Sequence, residues 1–202
     1  MELSWNTFVE ALLIGLTGTG GVAGLALAFR KVAEWLRLAH HRSVFQKVNA
    51  IYTALQTVMN QVGALRVCVV KSENNGGRPQ PGTSIFLTML YEVWDNPTVS
   101  IKTYWQRREI DQSYTSALAQ LVSSHESSIV TAKLVDGTPL KDTYEVFGVG
   151  QSCSFELGST FLSYYFMSIH FAKEQTLTPT QREAIRLAVA ELKALLGFSR
   201  LF

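Results

Sequence analysis

From Ala11 to Phe29 the chain carries no charged residue and is rich in Leu, Gly and Ala. As a helix this run rises roughly 28 Å, close to the roughly 30 Å hydrocarbon core of a bilayer. Basic residues follow at once: Arg30, Lys31, Arg37, Arg42 and Lys47. The pattern predicts a transmembrane anchor over 1–30, a basic juxtamembrane helix over 31–43 and a globular domain over 44–202. Two other readings of the run are open. One is a cleaved signal peptide ending near Ala26-Leu27-Ala28, disfavoured because Glu2 and Glu10 precede the run where a basic start belongs. The other is a helix buried in an oligomeric assembly such as a virion.

Polarity flanking the run sets an orientation. Base on its C-terminal side predicts a single-pass membrane protein with the C-terminal domain in the cytoplasm. Trp5 and Trp35 stand near the two ends, at the headgroup level that aromatic side chains favour. Gly20 and Gly24 form a GxxxG, a spacing that lets two helices approach closely. The glycines of Gly15–Gly21 superficially suggest a phosphate loop, but no Gly-Lys-Ser/Thr ending follows.

No Gly or Pro interrupts Leu25 to Val62, and Val44, Val48, Ile51, Leu55, Val58 and Val62 recur at alternating steps of four and three. This is a helical seam. Whether 25–62 is one helix or two is open, as is whether the seam packs on a sheet or pairs with a second copy. The expected partners are therefore a lipid membrane and a homo-oligomer formed through 11–29 and 44–62. Beyond Gly63, Leu65–Val70 is β-prone, 72–82 is a turn-rich loop and Ser84–Trp94 reads as a second strand. Tyr104–Val122 reads as a helix. Ser128–Leu134, Val146–Leu157 and Phe161–Phe171 read as strands, with a turn at Asp136-Gly137-Thr138-Pro139. Thr178, Pro179 and Gln181 predict a capped final helix that Gly197 closes. The order implies an α+β domain with an antiparallel sheet and helices on one side of it.

Composition narrows the function. The 18 basic residues are nearly matched by 16 acidic ones, which argues against a nucleic-acid partner bound through many phosphates. Two cysteines, Cys68 and Cys153, lie far apart and form no CxxC, so neither a zinc site nor a disulfide framework is expected. They fit a reducing compartment.

The ordered features from Val44 to Leu196 resemble a GAF-type domain. The amphipathic helix leads into Ala64-Leu-Arg66-Val-Cys68-Val-Val. Then comes Glu73-Asn-Asn75-Gly-Gly77-Arg-Pro79-Gln-Pro81-Gly82, similar to the Asn-Gly-Gly turn of a phage and bacterial subgroup. The Phe161–Phe171 strand and the helix from Pro179 match the end of that fold. The resemblance implies a sensory and dimerising module that binds a small molecule or nothing. It departs from the bilin binders, since neither cysteine is followed by His. No output domain follows Leu196 in this sequence, so a partner reads the module out or the fold serves a structural purpose.

No catalytic constellation stands out, and the chain is expected to be no enzyme, with no cofactor and no metal. His40 and His41 fall in the basic segment, His125 in a Ser-rich loop, and His170 in an apolar strand as a hydrogen-bonded core residue. Ser123–Ser128 contains no nucleophile elbow. The aromatics Tyr91, Trp94, Tyr104, Trp105 and Tyr144 could line a pocket, with Asn74, Asn75 and Gly76 supplying polar contacts. The ligand-binding candidates are accordingly Asn74, Asn75, Gly76, Tyr91, Trp94 and Trp105. Trp105-Gln-Arg107-Arg108 is a candidate basic edge. The leading expectation is a membrane-anchored regulatory or interaction module. The alternative is a bacteriophage structural or membrane-active virion component.

Overall fold

A computed structural model describes residues 21–74, 84–95 and 99–198. The apolar run over 11–20, Trp5, Gly20, Asn75 and Gly76 lie outside them. The contacts divide the chain into two units, one up to Val48 and one from Asn49. In the first unit the described residues form a single helix with exposed Leu36, Val44 and Phe45, the last 71% exposed. This helix, α1, has the bounds Gly21–Val62 and contains Gly24, so 25–62 is one helix. Among the described residues no helix is long and apolar enough to cross a membrane.

The second unit is built on six strands. These are β1 (Arg66–Glu73), β2 (Phe86–Trp94), β3 (Arg108–Glu109), β4 (Glu126–Val130), β5 (Gln151–Ser159) and β6 (Ser163–Phe171). All neighbours pair antiparallel in the order β3-β2-β1-β6-β5-β4, with β1 and β6 at the centre. Helices α2 (Gln112–Ser124), α3 (Pro139–Val146) and α4 (Pro179–Leu196) complete the domain.

Helices cover both faces of the sheet, where the sequence pattern suggested one. Strand alternation sends Val67, Val69, Met167 and Ile169 to the face under α1 and α4. There they meet Ile51, Leu55, Val58 and Val62, the lower part of the seam, and Ile185, Ala188 and Leu192. Cys68, Val70, Leu87, Met89 and Phe166 point the other way, beneath α2, α3 and the segment around Ile101 and Trp105. A bulge opposite Val69/Val70 shifts the register by one, so Leu90 and Tyr91 both pack against the α1 face.

Several boundaries differ from those expected. The helix expected over Tyr104–Val122 starts at Gln112. Arg107 takes a left-handed φ of 50°, and the Asp111 carboxylate accepts from the Tyr114 amide at 3.0 Å as a better N-cap. The expected turn at Asp136–Pro139 is present at Asp136–Gly137, with Gly137 at φ 74°, but it leads straight into an unexpected helix: Thr138 caps α3 and Pro139 lies in its first turn. The strand expected over Ser128–Leu134 runs Glu126–Val130, and a 3-10 turn occupies Thr131–Lys133. The next two strands start later than expected, at Gln151 and Ser163. The final helix has its full capping box at Thr178 and Gln181, and Gly197 ends it at φ 86°. The Gln181 side chain also donates to the Val62 carbonyl at 3.0 Å, tying α4 to the end of α1.

Candidate functional site

The face of the sheet beneath α1 and α4 is apolar. The opposite face has a polar floor. Arg66, at the start of β1, is 1% exposed and its Nε lies 2.8 Å from Glu92 Oε1 on β2. A buried charge pair is tolerated only with further hydrogen bonds. Those come from the segment after β2. Glu92 accepts from the Ser100 hydroxyl at 2.5 Å, the Ile101 amide at 2.9 Å and the Lys102 amide at 3.1 Å. Arg66 donates to the Val99 carbonyl at 2.5 Å. The pair therefore fastens the chain from Val99 to Lys102 over the sheet. Further along, the Met89 amide donates to the Trp105 carbonyl at 2.9 Å, and the Gln106 amide group donates to Met89 O at 3.0 Å.

Three serines on β5 and β6 extend the floor. Ser152 and Ser168 hydroxyls meet at 2.9 Å, Ser154 donates to Ser168 at 3.3 Å, and Ser168 lies 3.2 Å from His170 Nε2. The Cys68 thiol donates to the Ser168 carbonyl at 3.6 Å. His170 is 4% exposed, and its Nδ1 has no hydrogen-bond partner. Burial, with Arg66 nearby, pulls its pKa down to about 3, so the ring is neutral. Burial pushes the Cys68 thiol and the Tyr144 phenol up to about 12 each. The floor thus carries no net charge: one ion pair cancels itself and the other groups are neutral.

Between this floor and its cover lies a cavity of about 10 Å³, bounded by Cys68, Met89, Trp105, Tyr114, Tyr144 and His170 among others. That is the space of about one water molecule. A larger depression of about 350 Å³, beside Thr131, Glu145 and Glu174, is open to solvent. Buried Thr131 and Tyr144 line it too, but Cys68, Ser168 and His170 line only the small cavity, which is where the polar floor converges.

The sequence-derived candidates separate. Trp105 is buried and walls the cavity, with its ring 5.8 Å from that of Tyr114. Tyr144 joins it there, while Tyr104 stacks at the rim, bonded to the Thr143 hydroxyl at 2.8 Å. Tyr91 is on the opposite face, edge-on to Tyr52 at 5.7 Å. Trp94 ends β2 and is 43% exposed. Asn74 follows β1, half-buried. The basic edge is occupied by its own aromatics: Arg108 lies 3.9 Å over the Tyr104 ring and Arg107 5.3 Å over Phe86. His125 pairs with Glu156, and the neighbouring Ser124 hydroxyl donates to Gln120 and Glu126 carbonyls. Among the described residues no group of three or more His, Cys, Asp and Glu could hold a metal.

Sequence reasoning missed Arg66, Glu92 and the serines as parts of one site. Ser152-x-Ser154 and Ser168-x-His170 recur at the two-residue period of a strand face, so the polar floor was visible in the alternation.

No protein-family description matches the chain, and no curated protein does. Solved structures do. The phycocyanobilin-bound GAF domain of a cyanobacterial phytochrome aligns over 85% of this chain and 95% of its own, with a TM-score of 0.53 at 17% identity. The GAF3 domain of Slr1393 from Synechocystis sp. PCC6803, in its photoproduct state, aligns over 77% and 96%, with a TM-score of 0.54 at 9% identity. The GAF domain of a two-component sensor histidine kinase from Bacillus halodurans aligns over 76% and 95%, with a TM-score of 0.52 at 8% identity. These likenesses, together with the six-stranded antiparallel sheet and its flanking helices, give the chain a GAF-like α+β fold.

Proposed function

We propose that the chain is a non-catalytic regulatory or interaction module. Its GAF-like domain is held at a membrane by 11–29, lies on the cytoplasmic side and takes a small ligand on the polar floor. The observation that carries this reading is the contrast between the two faces of the sheet. One is sealed with aliphatic side chains, and the other buries an ion pair, three serines and a neutral His under an irregular cover. Buried polar groups reduce stability unless they are satisfied, so a core that keeps them is suited to recognition.

Self-association belongs to the same proposal, with a restriction. Ile51, Leu55, Val58 and Val62 are buried in the domain core. Pairing through this helix would therefore use exposed positions such as Leu36, Val44 and Phe45, with Gly20 and Gly24 in the anchor. The test is membrane fractionation of the full chain beside a version starting at Ser43, followed by sizing of the solubilised protein. Carbonate-resistant association that the truncation abolishes is expected, with a dimer from the full chain. A full chain that stays soluble and monomeric refutes both anchoring and pairing.

The tightness of the cavity favours a second reading, in which the fold is used structurally, as in a phage assembly. That reading predicts a closed ring or larger particle of fixed size in the same sizing experiment.

A further inference from the structure

We propose that the segment Val99–Gln106 is a displaceable plug in a binding site for a small uncharged planar ring, with Trp105 as the resident occupant. The proposal rests on the regulatory reading above and adds to it how the site opens and what it admits.

Three observations converge. First, the plug has no regular secondary structure of its own beyond turns, and it ends at Arg107, a non-glycine residue in the left-handed region. Such a residue carries local strain that the surrounding structure must hold in place. Second, apart from the Tyr104–Thr143 hydroxyl bond at 2.8 Å, its polar attachment to the rest of the domain is concentrated. Four bonds to one buried ion pair hold Val99–Lys102, and two bonds to Met89 hold Trp105 and Gln106. Only Ile101 and Trp105 of this segment are buried as core residues. Third, the Trp105 indole walls a cavity whose lining includes His170, a buried ring with an unpartnered nitrogen, Nδ1. When the plug lifts, the space left is that of an indole, over a floor with a free hydrogen-bonding nitrogen and two phenol rings, Tyr114 and Tyr144.

The charge of the ligand follows from the floor. Arg66 and Glu92 neutralise each other, and His170, Cys68 and Tyr144 are neutral. An ionic ligand would lose its hydration with no counter-charge to meet it. A flat neutral ring with one or two polar atoms fits the shape and the polarity that Trp105 now occupies.

Amide hydrogen exchange on the full chain, with indole as the probe, tests this. The Ile101 and Lys102 amides, bonded to Glu92, are expected to exchange by local opening, at least about 100-fold faster than β1 and β6 amides. Glu92→Gln, which weakens the charged acceptor, is expected to speed them a further tenfold or so. Indole is expected to accelerate exchange over 99–106, because a ligand of the open state raises its population. Exchange of these amides only with global unfolding overturns the plug. Local opening that indole does not accelerate overturns the ring-sized ligand. Either failure leaves the anchoring and self-association experiment to judge the regulatory reading on its own terms.

Discussion

Replacing Glu92 by Ala separates a latch from a decorative ion pair. The side chain is almost fully buried, pairs with Arg66 at 2.8 Å and accepts three hydrogen bonds from Ser100, Ile101 and Lys102. Its loss leaves an uncompensated guanidinium in the core, a change that costs about 3–5 kcal/mol. A domain of this kind has about 5–15 kcal/mol of total stability, so about a fifth or more is removed. For a chain of this length the expected fall in Tm is on the order of 10 °C. The assay is urea and thermal unfolding of the full chain followed by circular dichroism. The informative control is Arg66→Met with Glu92→Leu. Replacing a buried pair by apolar groups is often neutral or stabilising, so the double variant should recover most of the loss. Its opening rate over 99–106 should nevertheless stay raised, since the fastening bonds are gone. A Glu92→Ala loss below about 1 kcal/mol, the value of one ordinary hydrogen bond, would refute the account of the latch.

Other perturbations give smaller or simpler readouts. Leu55→Ala, at a fully buried seam position, should cost about 2–5 kcal/mol by chemical denaturation. Thr178→Ala removes one half of the capping box and should cost about 1 kcal/mol, with Thr178→Ser close to wild type. Gly150→Ala would place a Cβ 2.4 Å from the Ala172 carbonyl oxygen, a backbone atom that cannot step aside, and should cost about 1–3 kcal/mol or prevent folding in an expression and Tm assay. His170 is neutral when folded down to about pH 3, whereas the unfolded chain protonates from about pH 6.5. Its contribution is therefore fully present above that range and lost as pH falls through it, by up to about 1.4 kcal/mol per pH unit. His170→Gln should flatten the stability–pH profile between those limits relative to wild type.

What was legible in the sequence depended on period and length. The seam over 44–62, the strand at Phe161–Phe171 and the capped final helix all carry long, regular signals, and each has its counterpart in the fold. Short elements did not. Thr138-Pro139 and Thr178-Pro179 bear the same cap and first-turn proline. Only the second was read as a helix start, because α3 has eight residues and no capping box to lengthen its signal. The helix expected over Tyr104–Val122 took in Tyr104–Gln106, although the apolar face at Ile110, Tyr114, Leu118 and Leu121 begins only after them. The backbone of Tyr104–Gln106 instead follows β2, whose Met89 amide donates to the Trp105 carbonyl, a partner distant in sequence. The site was harder still. Aromatic residues suggested a pocket, but the bulge at Leu90 put Tyr91 on the other face. Pairing of Arg66 with Glu92 is a contact between strands that local pattern does not encode.

The two covers of the sheet differ in what their removal would expose. Lifting α1 and α4 uncovers Ile51, Leu55, Val58, Met59, Val62, Ile185, Ala188 and Leu192 together with the strands beneath them. At about 1.5–3 kcal/mol for each large side chain, that exposure exceeds the whole stability of a domain this size, so this cover leaves only when the domain unfolds. Lifting Val99–Gln106 uncovers Ile101 and Trp105. Their burial contributes about 3–6 kcal/mol by the same measure, to which the bonds at Glu92 and Met89 add. That apolar exposure is a fraction of what lies under α1 and α4, so of the two covers this is the one suited to open short of global unfolding. A site that must open without melting its scaffold therefore belongs on this face. The polar floor is found there too: the hydroxyls and the ion pair keep hydrogen-bonding capacity when water or a ligand reaches them, whereas the aliphatic face would gain nothing from either.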